Sequence, residues 1–113
     1  MKKYHLAWVG LPQTGDVRLG STDTDLIKWF LDEIKQIAPN YQYRADSLNK
    51  AFDRDGNQTY CEVYMLDGKD TQIEYWLLQT LLKMGWEPFA ISERGQFNSS
   101  KFIYVRREII DGD

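Results

Sequence analysis

The segment from Thr71 to Gly85 is the strongest constraint on how this chain folds. Thr71 with Glu74 three residues later makes a capping box, and Gly85 supplies the residue that ends a helix. Between them, Ile73, Leu77, Leu81 and Met84 form one apolar stripe. Tyr75, Leu78 and Leu82 form a second apolar group that points elsewhere, and only Gln72, Gln79 and Lys83 make a plainly polar strip. A helix with so little surface for water has to pack against more than one element.

The other elements follow from periodicity and turn chemistry. Ser21 or Thr22 is the expected cap of an earlier helix, with Asp23 and Asp25 at its positive end. In that helix Leu26, Ile27, Phe30, Leu31, Ile34 and Ile37 fall within a sector of about 140°, and Pro39-Asn40 stops it. Trp29 lies about 130° from the centre of this stripe and is expected to face away from the core.

Tyr4 to Val9 reads as a first strand closed by Gly10-Leu11-Pro12, and Gln13 to Gly20, with its two glycines, as a loop. Tyr41 to Phe52 suits either a strand followed by a helical turn or a long irregular strand. Asp53 to Asn57 is a turn, and Gln58 to Leu66 an alternating strand. Trp86 to Ser92 is a strand in which Pro88 marks an edge or a bulge, and Lys101 to Arg107 is the cleanest strand. The order β-α-β-β-α-β-β predicts one α+β domain over residues 1–113. Its expected form is a two-layer sandwich, an antiparallel sheet with both helices on one face, in a ferredoxin-like arrangement.

The run from Leu77 through Met84, Gly85-Trp86-Glu87 and Pro88-Phe89-Ala90-Ile91, then a hairpin, ends in Phe102-Ile103-Tyr104-Val105-Arg106-Arg107. This final third resembles a group of small uncharacterised bacterial domains that share the pattern helix, Gly-Trp-Glu, strand, hairpin, strand. The resemblance implies a fold and carries no activity and no cofactor.

Composition narrows the function classes. The 113 residues include 7 Tyr, 5 Phe and 4 Trp, enough large apolar surface to exclude full disorder. A net charge of −3, with both signs interspersed, is slight and of the wrong sign for a polyanion partner. No apolar run approaches the roughly 18 residues of a membrane span, and Tyr4 to Gly10 is too short for a secretory core. One cysteine excludes an internal disulfide and a cysteine-based zinc site. The expectation is a cytoplasmic domain with no cofactor and no metal.

Three motifs imitate chemistry. Gly10 to Gly15 has the glycine spacing of a phosphate loop, but Asp16 and Val17 stand where Lys and Ser/Thr are needed. Asp53, Asp55, Asn57 and Thr59 copy half of a calcium loop, whose sixth and twelfth positions are then Gln58 and Tyr64 instead of Gly and Glu. Cys61 alternates with Val63 and Met65 on the expected core face, and His5 is the only histidine, so no nucleophilic dyad is signalled. None of these predicts an enzyme.

The aromatic residues make a stronger pattern. If Ala7, Val9, Cys61, Val63, Ile103 and Val105 face the helices, the opposite sheet face carries Tyr4, Leu6, Trp8, Tyr60, Tyr64, Phe102, Tyr104 and Arg106. Aromatics with arginine are what interface centres favour. The expected function is therefore a non-enzymatic adaptor or regulatory domain that binds a protein partner, or its own copy as a homodimer. The site residues are Trp8, Trp29, Tyr60, Tyr64, Phe102, Tyr104 and Arg106. The alternative is single-stranded nucleic acid stacked on the same rings, which the acidic balance and Glu62 among them disfavour.

Overall fold

Alternation along the strands decides which side of the sheet is dry. The computed structural model describes residues 2–11, 16–39, 41–44, 52–65, 73–93 and 101–110. The chain runs β1 (Tyr4–Leu11), β2 (Asp16–Ser21), α1 (Thr24–Ile37), β3 (Tyr41–Arg44), β4 (Tyr60–Met65), α2 (Ile73–Lys83), β5 (Glu87–Glu93) and β6 (Lys101–Glu108). The strands form one 6-stranded sheet in the order β3-β4-β2-β1-β6-β5, every neighbouring pair antiparallel. Ala7, Val9, Val17, Leu19, Cys61, Val63 and Val105 are buried on one face, against Leu26, Ile27, Phe30 and Ile34 of α1 and Ile73, Leu77 and Leu81 of α2. Both helices thus lie on one face of an antiparallel sheet, and the α+β sandwich stands.

The strand order differs from the ferredoxin-like arrangement, because Asp16–Ser21 is a strand and not a loop. Val17, Leu19 and Ser21 alternate inward and are buried, so β1 and β2 form a hairpin in place of a strand leading directly to a helix. A β-α-β crossover joins parallel strands, whereas the described strands here are three antiparallel hairpins with a helix after each of the first two. Gly10, the first glycine of that spacing, consequently lies within β1, opposite Arg18 of β2. Gly15 itself lies outside the described residues.

The helix start also shifts. Asp23 is the cap of α1, its Oδ1 accepting from the Asp25 N–H at 3.1 Å. Ser21 and Thr22 serve the sheet instead. The Ser21 hydroxyl donates to the Leu6 carbonyl at 3.0 Å and accepts from the Asp23 N–H at 2.9 Å. Thr22 Oγ1 accepts the Leu6 N–H at 2.9 Å, so the pair ties β1 to the first turn of α1.

At the end of α2 the expected glycine cap is present. Gly85 has φ +94°, and the N–H groups of Gly85 and Trp86 donate to the carbonyls of Leu82 (3.2 Å) and Leu81 (3.0 Å). That pair of bonds is a Schellman motif, and it delivers Trp86 into the core. Thr71 of the capping box lies outside the described residues. Of the segment from Tyr41 to Phe52, Tyr41–Arg44 is strand β3, Phe52 makes an isolated bridge to Gln58, and residues 45–51 lie outside the described residues.

Candidate protein-binding surface

Across the helix-free face, cross-strand register sets Tyr104, Trp8, Gly20 and Tyr60 in one row over β6, β1, β2 and β4. The row works because its third member has no side chain. A Cβ built on Gly20 would stand 2.0 Å from Trp8 Cε2, so the indole lies flat across the β2 backbone. The next row repeats the device: Phe102 leans over Gly10, where a Cβ would meet its Cε1 at 3.1 Å. Phe102 is consequently only 7% exposed, a correction to its expected place on an open surface. Beyond Gly10, the Arg18 guanidinium and Glu62 carboxylate approach to 3.6 Å with both side chains mostly covered.

A second group of rings gathers at the β5–β6 side. The Arg106 guanidinium stacks over Tyr4 at 4.5 Å and over Phe89 at 5.7 Å, while its Nε holds Glu87 Oε1 at 2.8 Å. Phe89 also packs against Tyr104 with ring centroids 6.3 Å apart, and the Ser92 hydroxyl donates to the Tyr104 hydroxyl at 3.3 Å. Phe89 reaches this face because a register shift between Pro88 and Ala90 breaks the alternation of β5. Pro88 marks an edge or a bulge in the sequence, and β5 is both an edge strand and irregular there, but no local signal says that the irregularity turns a ring outward.

Trp8, Tyr60, Tyr104 and Arg106 are therefore brought together on the helix-free face, half-buried. The Tyr64 side chain lies outside the described residues. Trp29 is not part of this surface, and it does not face away from the core. It stacks on Trp76 of α2, with centroids 5.8 Å apart and planes at 17°. A single-helix projection misplaces it because α2 lies beside α1 and covers that flank.

The chemical imitations resolve as structure. Asp53 Oδ1 accepts the N–H groups of Asp55 and Asn57, both at 2.9 Å, and Gly56 takes φ +81°, which makes a self-satisfied turn. Among the described residues no cluster of three or more potential metal ligands occurs. His5 sits opposite Arg107, whereas Cys61 sits opposite Leu19 across β2, itself opposite Val9. Four residues of strand, roughly 13 Å, separate Val9 from His5, which is far beyond hydrogen-bond reach.

Burial pushes the Cys61 thiol up from 9.0 to about 12, against the lowering effect of the backbone bond to Leu19. The folded chain thus keeps a proton that the unfolded chain loses near pH 9.0. That contribution to stability is complete below pH 9.0 and disappears as pH climbs toward about 12. Two results are expected. A thiol reagent at pH 8 labels Cys61 only after unfolding, and Cys61→Ala flattens the fall of Tm above pH 9. Rapid labelling of the folded chain would contradict the burial.

A further surface was only half visible in the sequence. Leu78 and Leu82, from the second apolar group of α2, line a groove of about 590 Å³ with Pro88, Phe89, Ala90 and Ile91 of β5 and Ile103 and Val105 of β6. The signal was the surplus of apolar residues on α2, but periodicity alone did not say what they would face. Comparison with known protein families, with curated proteins and with solved structures finds no match. Among the described residues no helix is long and apolar enough to cross a membrane.

Proposed function

We propose that this chain is a non-catalytic protein-binding module, an adaptor or regulatory domain working in the cytoplasm. Its contact surface is the helix-free sheet face. The observation that carries the reading is the state of the rings there. Trp8 is held down on Gly20, and Tyr4 and Phe89 are clamped by Arg106. Rings that are already ordered lose little freedom when a partner covers them, so most of the buried area is available as affinity. Tyrosine, tryptophan and arginine are also the side chains that dominate interface energies.

Nucleic acid is the weaker candidate on the same surface. A phosphate binder needs guanidinium groups free to meet phosphates. Arg106 is held by Glu87, and Arg18 by Glu62.

The first measurement is mass by light scattering over a range of concentrations, which shows whether the partner is a second copy. For a different partner, a photo-crosslinker at Leu6, 40% exposed on this face, captures it in the native host. Tyr60→Ala combined with Tyr104→Ala is expected to weaken the association at least about tenfold, with a native circular dichroism spectrum. Undiminished association in that folded double variant would overturn the assignment.

A further inference from the structure

We infer that Asp55-Gly56 is a latent modification site, where the aspartate converts spontaneously to isoaspartate, and that Asp53 keeps it closed by holding the turn. The chemistry starts from the residue pair. In Asp-Gly a backbone nitrogen reaches the preceding side-chain carboxyl with least hindrance, because glycine puts no Cβ in the way. The Gly56 nitrogen attacks Cγ of the protonated Asp55 carboxyl. The N–Cγ bond forms, the Cγ–OH bond breaks, and the hydroxyl leaves as water with the amide proton. A second water then opens the five-membered succinimide at either carbonyl. Attack at the original backbone carbonyl leaves the chain running through Cβ and Cγ, which is isoaspartate. One water leaves and one returns, with no oxidant or reductant.

The turn grants access and withholds geometry. Asp55 and Gly56 are both exposed, so water reaches them. Nothing described lies within 4 Å of the place where a Gly56 Cβ would stand, so that side of the amide is open. The obstacle is the bond made by the nucleophile itself. The Gly56 N–H donates to the Asp53 carbonyl at 3.1 Å, and ring closure has to give up that hydrogen. The same bond closes a β-turn from Asp53 to Gly56, and the positive φ of Gly56, +81°, marks the common hairpin of a type I turn followed by a left-handed glycine. Asp55 is the third residue of that turn, where ψ is near 0°. Succinimide formation needs ψ rotated until the Gly56 nitrogen eclipses Asp55 Cβ.

Asp53 is the lock. Its Oδ1 accepts the N–H groups of Asp55 and Asn57, both at 2.9 Å, one on each side of Gly56. Its own N–H donates to the Asn57 carbonyl at 2.8 Å. The reaction has a consequence beyond the turn. Isoaspartate adds one carbon to the backbone between Phe52 and Gln58, which form a bridge. The Gln58 amide donates to the Tyr60 carbonyl at 2.7 Å and to the Tyr43 hydroxyl. A slipped turn therefore disturbs the end of β4 that carries Tyr60.

The test ages the full chain at neutral pH and locates isoaspartate by peptide mapping with electron-transfer fragmentation, which tells the isomers apart. Asp-Gly also occurs at 67–68 and 111–112, and those pairs serve as references in the same digest. Asp53→Ala, at an exposed position, removes both bonds to Oδ1 and is expected to speed the reaction at Asp55 at least about fivefold. Asp53→Asn keeps a side-chain oxygen as acceptor and should restore the slow rate. In denaturing urea, where the turn no longer persists, the unsubstituted chain should react at Asp55 at least about tenfold faster than when folded. A rate at Asp55 that neither Asp53→Ala nor urea raises would overturn the inference, as would an Asp55 that stays unreacted in urea while the reference pairs convert.

Discussion

Trp86→Ala lowers the unfolding free energy by about 3–5 kcal/mol, among the largest losses expected from any single truncation here. The side chain is 2% exposed and stands directly after the Schellman turn that ends α2. It is therefore fixed by the chain on one side and by the core on the other, leaving little scope for the cavity to collapse. The Arg107 guanidinium lies 5.4 Å over the indole, and Arg107 also reaches the Asp23 carboxylate at 3.4 Å. Loss of the ring thus loosens the anchor between β6 and the first turn of α1. A companion variant separates packing from polarity. Trp86 Nε1 is buried with no hydrogen-bond partner among the described residues, so Trp86→Phe forfeits no hydrogen bond there and relieves an unpaired donor. It should cost far less than the alanine variant, on the order of 1 kcal/mol. Urea denaturation of the three proteins decides the matter, and equal losses in both variants would mean that the indole N–H is satisfied after all.

Gly20→Ala destabilises the fold by about 1–3 kcal/mol even though it adds one methyl group to a sheet surface. The new Cβ would lie 2.0 Å from Cε2 and 2.2 Å from Nε1 of Trp8, so the indole must leave its place on β2. The sign reverses when the ring is gone. In a Trp8→Ala background the same change should stabilise by about 0.5–1 kcal/mol, because alanine loses less backbone entropy than glycine in a strand. A double-mutant cycle measures this coupling directly. Trp8 fluorescence should shift to the red in Gly20→Ala as the ring moves into water, and additive effects in the cycle would refute the account.

Gly20 also shows why one strand escaped sequence reading. Gly15 and Gly20 give Gln13–Gly20 the look of a loop, and they mask the alternation of Val17, Leu19 and Ser21. The reason for a glycine inside β2 is a tryptophan on the neighbouring strand, which no local rule can see. Missing β2 also removed one antiparallel neighbour from the sheet, and that single omission produced the ferredoxin-like expectation. Trp29 failed for a related reason. The angle from the α1 stripe was sound arithmetic, but its fate depended on Trp76 arriving from α2.

Local chemistry was enough for much else. Gly85 ends α2 because a positive φ is cheap only without a side chain, and the carbonyls of Leu81 and Leu82 take the two bonds that follow. The inward sets of β1, β4 and β6 were readable because a pleated strand turns alternate residues to opposite sides whatever surrounds it. The two apolar sides of α2 declared that it needed two neighbours. Which neighbours they are, and that one is left as an open groove against β5, depended on strand order. So did the flattening of Trp8 on Gly20 and of Phe102 on Gly10, which turned an expected row of projecting rings into a laid surface. Caps, periodicity and alternation are properties of a few consecutive residues, and the amino-acid order states them outright. Coverage is a property of segments far apart in the chain, and only their packing in three dimensions settles it.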